Sequence, residues 1–326
     1  MYSIGLDVSK STINVYIPIK DQDLVIDNNL KSIKALYSKL KKYYKKEIDK
    51  LVFIFEPTGN YSSVLKYFCS EKDIKCFIVN PKQSSNFSKA LGERNKSDLT
   101  DARVLSKMQS IALDGEIKVP VIDRLVEEIN ELISFYKLIL KQKLQNSNHL
   151  EALLAKSESS IVIKKVKREI SNLEKTEQEV IDKIIELIKE DEKLYQAFNN
   201  IKTVKGLGEL SAIVLLHHFI RYPDTNQREI ISLAGLDPIT KESGTSLKKK
   251  TKISKAGSKI CRSTLFMATI VATQCNEEMK VFYNRLKENG KHTTVAQIAV
   301  MRKLIVIAHS LYKNNQTYDP LKYKSN

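Results

Sequence analysis

Four carboxylates stand out by type and spacing: Asp7, Glu56, Asp98 and Asp101. Asp7 interrupts the apolar run Ser3-Ile4-Gly5-Leu6-Asp7-Val8, where an unpaired charge is expensive to bury. Glu56 follows the uniformly apolar Leu51-Val52-Phe53-Ile54-Phe55. Asp98 and Asp101 are three positions apart, so on a helix they share a face, and like charges that close repel unless a cation lies between them. Singly, each has an ordinary alternative. Asp7 could close its strand as a turn cap, Glu56 could be an exposed strand end, and Ser97 or Asp98 could cap a helix. Jointly, hard oxygen donors with no Cys or His nearby favour Mg2+ or Mn2+ over Zn2+, and one or two such ions can polarise a phosphodiester. Arg94 and Lys96, just upstream, could meet the scissile phosphate or form a solvated basic loop.

A second constellation lies far along the chain. It runs Gly235-Leu236-Asp237-Pro238, then Lys241-Glu242-Ser243-Gly244-Thr245-Ser246, then Ile253-Ser254-Lys255-Ala256-Gly257. Between Lys241 and Arg262 there are eight Lys/Arg, among them Lys248, Lys249, Lys250, Lys252 and Lys255, against one acid. That is an electrostatic footprint for phosphate. Ser243-Gly244 reads first as a turn, because a neutral serine needs a base or metal to become a nucleophile and none is adjacent in sequence. Upstream, Lys202, Lys205, Gly206 and Gly208 form a G-x-G turn opening an apolar helix. Such a turn can aim backbone N–H groups at a phosphate, as in a helix-hairpin-helix element.

The elements that must position these groups fall into three segments. Residues 1–118 carry strand signals at Ser3–Val8, Thr12–Ile19 and Leu24–Ile26, then a helix over Ser32–Lys46. The strand Leu51–Phe55, a helix over Ser62–Lys72, the strand Lys75–Val79 closed by Asn80-Pro81, and a helix over Ser97–Ile111 follow. Three strands and then alternating helix and strand is the order of a ribonuclease H-like α/β fold. In that fold the first strand is central, the strand before Glu56 lies beside it, and a late helix crosses their ends. Residues 119–198 show two apolar series at spacings of three and four, Leu125 to Leu153 and Val166 to Leu187. Lys143, Asn146 and Glu177 interrupt them, and a polar break separates them at Lys156–Ser160. This predicts an antiparallel coiled-coil hairpin, as a spacer or oligomerisation arm. Residues 199–326 read as mainly helical and basic.

Composition narrows the partner. Lys+Arg number 54 against 38 Asp+Glu, a formal charge of +16. Codon bias can replace Arg by Lys but does not create an excess of bases over acids, so a nucleic acid is the expected partner. Hydrophobic residues make up 42%, enough for sizeable cores. No apolar run approaches the roughly 20 residues of a membrane helix, and Met1–Asp7 runs into a strand without a basic-then-apolar leader. The expectation is a soluble intracellular protein. Cys69, Cys76, Cys261 and Cys275 show no metal or disulfide spacing. His217 and His218 end an apolar run and suit packing better than ligation.

Assembled, these residues resemble the DEDD transposases of bacterial insertion sequences, the insertion sequence 110 family that includes the Piv and MooV invertase-like proteins. The resemblance spans nearly the whole chain. It rests on Ile4-Gly5-Leu6-Asp7-Val8-Ser9-Lys10, Phe55-Glu56-Pro57-Thr58-Gly59, Lys96-Ser97-Asp98-Leu99-Thr100-Asp101-Ala102, Gly235-Leu236-Asp237-Pro238, Ser243-Gly244, Ile253-Ser254-Lys255-Ala256-Gly257, and Arg262 with Leu265. The family often has a glycine or basic residue where this chain has Thr245. The resemblance implies a RuvC-like domain whose Asp7, Glu56, Asp98 and Asp101 bind metal, and a C-terminal transposase domain in which Ser243 forms a transient phosphoserine with a DNA end. It also implies a structured bridge RNA that selects donor and target DNA, a homo-oligomer from dimer to tetramer with active sites shared between subunits, and residence in the bacterial cytoplasm at the nucleoid. The rival expectations are a Holliday-junction-type nuclease that activates water, an RNA- or DNA-binding scaffold with an inert acidic site, and a sugar-kinase-like ATPase. The last lacks a glycine-rich adenosine signature.

Overall fold

Strand alternation in the opening apolar run sends Ile4, Leu6 and Val8 to one face and Gly5 and Asp7 to the other. The computed structural model describes residues 1–92, 98–156, 161–243 and 247–323. They form two compact units, Met1–Asp123 and Arg124–Asn326.

The first unit contains β1 (Tyr2–Val8), β2 (Thr12–Ile17), β3 (Gln22–Asp27), α1 (Leu30–Tyr44), β4 (Leu51–Phe55), α2 (Ser63–Glu71), β5 (Lys75–Ile78), α3 (Pro81–Ala90), α4 (Asp98–Lys107) and β6 (Ile117–Lys118). The sheet order is β3-β2-β1-β4-β5-β6. β1 to β3 form an antiparallel meander, β1, β4 and β5 are parallel, and β6 returns antiparallel. β4 is buried along its full length, as a central strand covered on both faces must be. On one face Ile4, Leu6, Val8, Phe53 and Phe55 pack against Ile33, Leu36 and Leu40 of α1 and Leu65 and Phe68 of α2. On the other, Val52, Ile54 and Phe77 pack against Leu105 of α4 and Met108 of the 3-10 turn after it.

Three details differ from the sequence expectation, the first being the short edge strand β6, which was not expected. Asn80-Pro81 does not merely stop β5 but starts α3: Asn80 Oδ1 accepts the Lys82 N–H at 2.9 Å, and Pro81 occupies the first helical position. The helix expected over Ser97–Ile111 ends as an α-helix at Lys107 and tightens into a 3-10 turn over Met108–Ile111.

The second unit contains α5 (Arg124–Ala155), α6 (Ile161–Glu190), α7 (Glu192–Lys202), α8 (Glu209–Arg221), α9 (Gln227–Leu233), β7 (Pro238–Ser243), β8 (Leu247–Ile253), α10 (Lys259–Cys275), α11 (Glu277–Glu288) and α12 (Thr293–Asn314). The long pair α5 and α6 packs through Ile129, Ile133, Tyr136 and Ile139 against Val180, Ile184 and Leu187. Two of the polar interruptions meet across this seam: Lys143 Nζ pairs with Glu177 Oε2, and the Tyr136 hydroxyl donates to Glu177 Oε1 at 3.1 Å. A polar pair inside an apolar seam disfavours slipped registers.

α12 is 22 residues long and carries an apolar stretch of membrane-spanning length, which the sequence reading passed over. Half of that stretch is buried within the protein: Val300, Leu304, Ile305 and Ala308 are fully covered in the core of this unit. The C-terminal segment is mainly helical, and the antiparallel β7–β8 hairpin is a second unforeseen feature of it.

Candidate active site

β1 and β4 register Leu6 opposite Phe55, so Asp7 and Glu56 are the next pair at the C-terminal ends of two adjacent parallel strands. Successive side chains alternate faces. Leu6 and Phe55 face α1 and α2, which puts Asp7 and Glu56 on the face that α4 covers. Gly5 shares that face. A Cβ there would lie 1.9 Å from the Ala102 carbonyl oxygen and 2.7 Å from the Ser106 nitrogen, so only glycine lets the α4 backbone come this close. α4 carries Asp98 at its first residue and Asp101 one turn on, next to the residue in contact with Gly5. The sheet and α4 therefore bring the backbones bearing Asp7 and Asp101 together. The side chain of Asp98 lies outside the described residues, as do Arg94, Lys96 and Ser97 entirely.

Two further contacts hold this region, and sequence reasoning missed both. The Ser84 hydroxyl on α3, almost fully buried, meets Glu56 Oε1 and lies 3.0 Å from the Pro81 carbonyl. Reading Asn80-Pro81 as a helix cap followed by its first residue would have found α3 and so Ser84. On α4, the Arg103 guanidinium forks onto the Asp23 carboxylate of β3, with Nε at 3.0 Å and Nη2 at 2.5 Å, and stacks on Tyr16 of β2 at 4.7 Å. That bidentate pair fixes where α4 lies across the strand ends.

The donor chemistry suits a hard divalent cation: carboxylate oxygens with no thiol or imidazole beside them. Thr58 Oγ1, two residues beyond Glu56, is buried without a hydrogen-bond partner among the described residues. Among the described residues, however, no three His, Cys, Asp or Glu side chains form a metal-sized group. Asp7, Glu56 and Asp101 do not close a site by themselves, and the fit depends on Asp98.

In the second unit Ser243 is the last residue of β7, in register with Leu247 of β8. Gly244, Thr245 and Ser246, which join the two strands, lie outside the described residues. Lys248, Lys249, Lys250 and Lys252 are on β8. The hairpin is anchored at its other end. Ser254 N–H donates to the Asp237 carbonyl at 2.9 Å, and its hydroxyl donates to the Asp237 carboxylate. Lys255 N–H donates to the Gly235 carbonyl at 3.1 Å. A Cβ on Gly257 would stand 2.0 Å from the Leu233 carbonyl oxygen. Arg262, expected to touch nucleic acid, donates from Nη1 to the carbonyls of Ala234 at 3.0 Å and Gly257 at 2.9 Å. Arg302, absent from the sequence reading, donates to the Leu236 carbonyl at 2.7 Å. Lys252 and Lys255 stay exposed.

At the G-x-G turn between α7 and α8, Gly206 has φ 103° and packs against Ala272 of α10, where a Cβ would come within 2.6 Å of the Ala272 side chain. Gly208 caps α8. Lys205 is exposed, while Lys202 is paired with Glu209 at 3.0 Å and lies over the Phe198 ring. Burial pushes His217 and His218 down to about 4, with Arg221 adding to the effect. Both are neutral packing residues at neutral pH.

Comparison with known proteins gives this two-part arrangement its class. Residues 4–157 match the DEDD transposase model of the IS110 type, and residues 198–284 match the Transposase IS116/IS110/IS902 family. The chain belongs to this transposase family, and it is an enzyme of DNA strand cleavage and rejoining. The mixed sheet of the first unit is accordingly the ribonuclease H-like α/β fold of the DEDD domain, a nuclease-like domain that points to a divalent metal. Two curated relatives are similar along 97% of both chains: the pilin gene-inverting proteins of Moraxella bovis and Moraxella lacunata, each 26% identical over 333 residues.

Proposed function

We propose that this transposase exchanges DNA strands through a serine ester, with Asp7, Glu56, Asp98 and Asp101 as the metal-holding half of the site and Ser243 as the nucleophile. The observation that carries the first half is the shared register and face of Asp7 and Glu56 beneath the helix bearing Asp98 and Asp101. Bound by these carboxylates, Mg2+ or Mn2+ supplies polarisation of the phosphodiester and neutralises charge on the exchanged oxygens. Ser243 Oγ attacks phosphorus in line. A P–Oγ bond forms, the P–O bond to the neighbouring deoxyribose breaks, and the serine proton passes to the departing oxygen. The ester keeps the energy of the broken bond, so the same steps in reverse onto a new strand end rejoin DNA without an outside energy source. Arg103 and Ser84 position the carboxylates rather than touch substrate.

The lysines of β8, Lys255, and the turn at Lys205, Gly206 and Gly208 bind the phosphate backbone. Lys202 and Arg262 act chiefly as structural clamps, because their cationic groups already engage Glu209 and backbone carbonyls. The α5–α6 hairpin serves as an oligomerisation arm, and the first domain of one subunit works with the last domain of another. A structured bridge RNA selects donor and target, and the DNA inversion named for the Moraxella relatives is a reaction of the same kind.

Denaturing electrophoresis of protein incubated with its DNA, guide RNA and Mg2+ tests the reading. Wild type leaves a protein–DNA adduct, Ser243→Ala leaves none, and Asp98→Asn loses cleavage while keeping RNA binding within about twofold. Cleaved DNA with no adduct in the wild type would instead indicate water as the nucleophile, the Holliday-junction-type alternative.

A further inference from the structure

Helix α1 carries five lysines, Lys31, Lys34, Lys39, Lys41 and Lys42, and no acid. Codon bias does not account for this, because it acts on the whole chain. α6 carries seven basic and seven acidic residues, and α5 carries four of each. On α1, Ile33, Leu36, Leu40 and Tyr44 are buried in the sheet core, while Lys31, Lys34, Lys41 and Lys42 are exposed on the opposite side. From Lys31 to Lys42 the stripe is about 16 Å long at the rise of an α-helix.

Helix stability does not require this pattern. Lys41 and Lys42 in the last turn complement the helix dipole, but Lys31 stands in the first turn, at the positive end, with no acid to offset it. Lys31 and Lys34 also repel each other as i, i+3 neighbours. Among the described residues none of the α1 lysines forms an ion pair. Two of the flanking acids are already engaged, Glu47 with Lys50 at 2.9 Å and Glu71 with Lys72 at 2.8 Å. Tyrosine faces steady the stripe: Lys41 lies 4.9 Å from the Tyr37 ring, and Lys20 and Lys39 flank Tyr43 at 5.7 and 5.9 Å.

We propose that the α1 stripe is a docking surface for the phosphate backbone of duplex DNA lying outside the segment being cut. α1 covers the sheet face opposite the one shared by Asp7, Glu56 and α4. DNA seated on α1 is therefore a separate stretch from DNA at the carboxylates. The inference rests on the family's action on DNA. It depends neither on the metal ligands nor on Ser243.

Full-length protein with Lys31, Lys34, Lys41 and Lys42 all changed to Gln is compared with wild type by fluorescence anisotropy on a labelled random-sequence DNA duplex, without divalent metal and over a range of salt. The slope of log affinity against log salt falls by about 2 to 4, and affinity in low salt falls at least tenfold. The corresponding four-Arg variant retains wild-type binding and melting temperature, which separates lost charge from lost fold. A control with Lys164, Lys165, Lys167 and Lys175 of α6 changed to Gln leaves the slope within one unit of wild type. An unchanged slope in the α1 variant, an equal loss in the α6 control, or a loss seen only with an RNA duplex would each overturn the proposal.

Discussion

In the first unit the candidate catalytic positions sit where two central strands end, beneath a helix whose backbone touches Gly5. In the second, the serine position sits at the far end of a two-stranded ribbon whose opposite end is clamped by Gly235, Gly257, Arg262 and Arg302. In the first, Asp7 belongs to a core strand and Glu56 directly follows one, so neither backbone can move without moving the sheet. The hairpin of the second is anchored at its base among the described residues, and a two-stranded hairpin alone is at best marginally stable.

Breaking each anchor separately sharpens the contrast most. Gly5→Ala forces a Cβ into the Ala102 carbonyl, and Gly257→Ala forces one into the Leu233 carbonyl. Each should destabilise its own unit by about 3 kcal/mol or more, because backbone has little room to yield. The expected split is functional. Gly5→Ala loses Mn2+ binding measured by calorimetry, whereas Gly257→Ala keeps it and loses the DNA adduct. If both variants bound Mn2+ equally, the contact between α4 and β1 would not position the carboxylates.

A milder change probes the support behind Glu56. Ser84→Ala removes the hydroxyl on its carboxylate, and outer partners of metal ligands are worth roughly 10- to 100-fold in affinity. Mn2+ affinity should fall by about tenfold, Ser84→Thr should restore most of it, and hairpin-dependent DNA binding should not change. An unaltered Mn2+ affinity would leave Ser84 as a packing residue.

Acid should separate the two units by stability. All five histidines lie in the second unit, and the Nε2 atoms of His217, His218 and His309 are buried without partners among the described residues. His217 and His218 titrate near 4 in the fold, against about 6.5 when unfolded. Their neutral form is the folded one, so the stability they contribute is complete above pH 6.5 and is lost as pH falls toward 4. His218 alone accounts for about 3 kcal/mol over that window. Denaturant melts at pH 7 and 4.5 followed by hydrogen exchange should show the second unit loosening first, and His218→Asn should flatten its pH dependence.

Much of the first unit is legible because strand periodicity and the uniformly apolar β4 dictate both order and faces. Asp7 and Glu56 could be placed at neighbouring strand ends once that order was matched to a ribonuclease H-like fold. α3 is hidden because Pro81 after a strand reads as a stop, although Asn80 before it is a cap. The β7–β8 hairpin was hidden for another reason. Leu247–Ile253 is mostly lysine, a poor strand former with no alternation to read, and it is held by backbone contacts near Gly235 and Gly257 that leave little trace in the hydrophobic pattern. Lys143 and Glu177 were visible as interruptions of an apolar seam, but their pairing with each other needed the helix register. Arg103 looked like any charged helix residue until β3 supplied Asp23.

The most direct test is to find which atom carries the DNA. Adduct formed with wild-type protein would be digested with nuclease and protease, and the nucleotide-bearing peptide would be sequenced by mass spectrometry. The expected result is a single phosphoester on Ser243. A nucleotide on Thr245 or Ser246, or cleaved DNA joined to no residue at all, would contradict it.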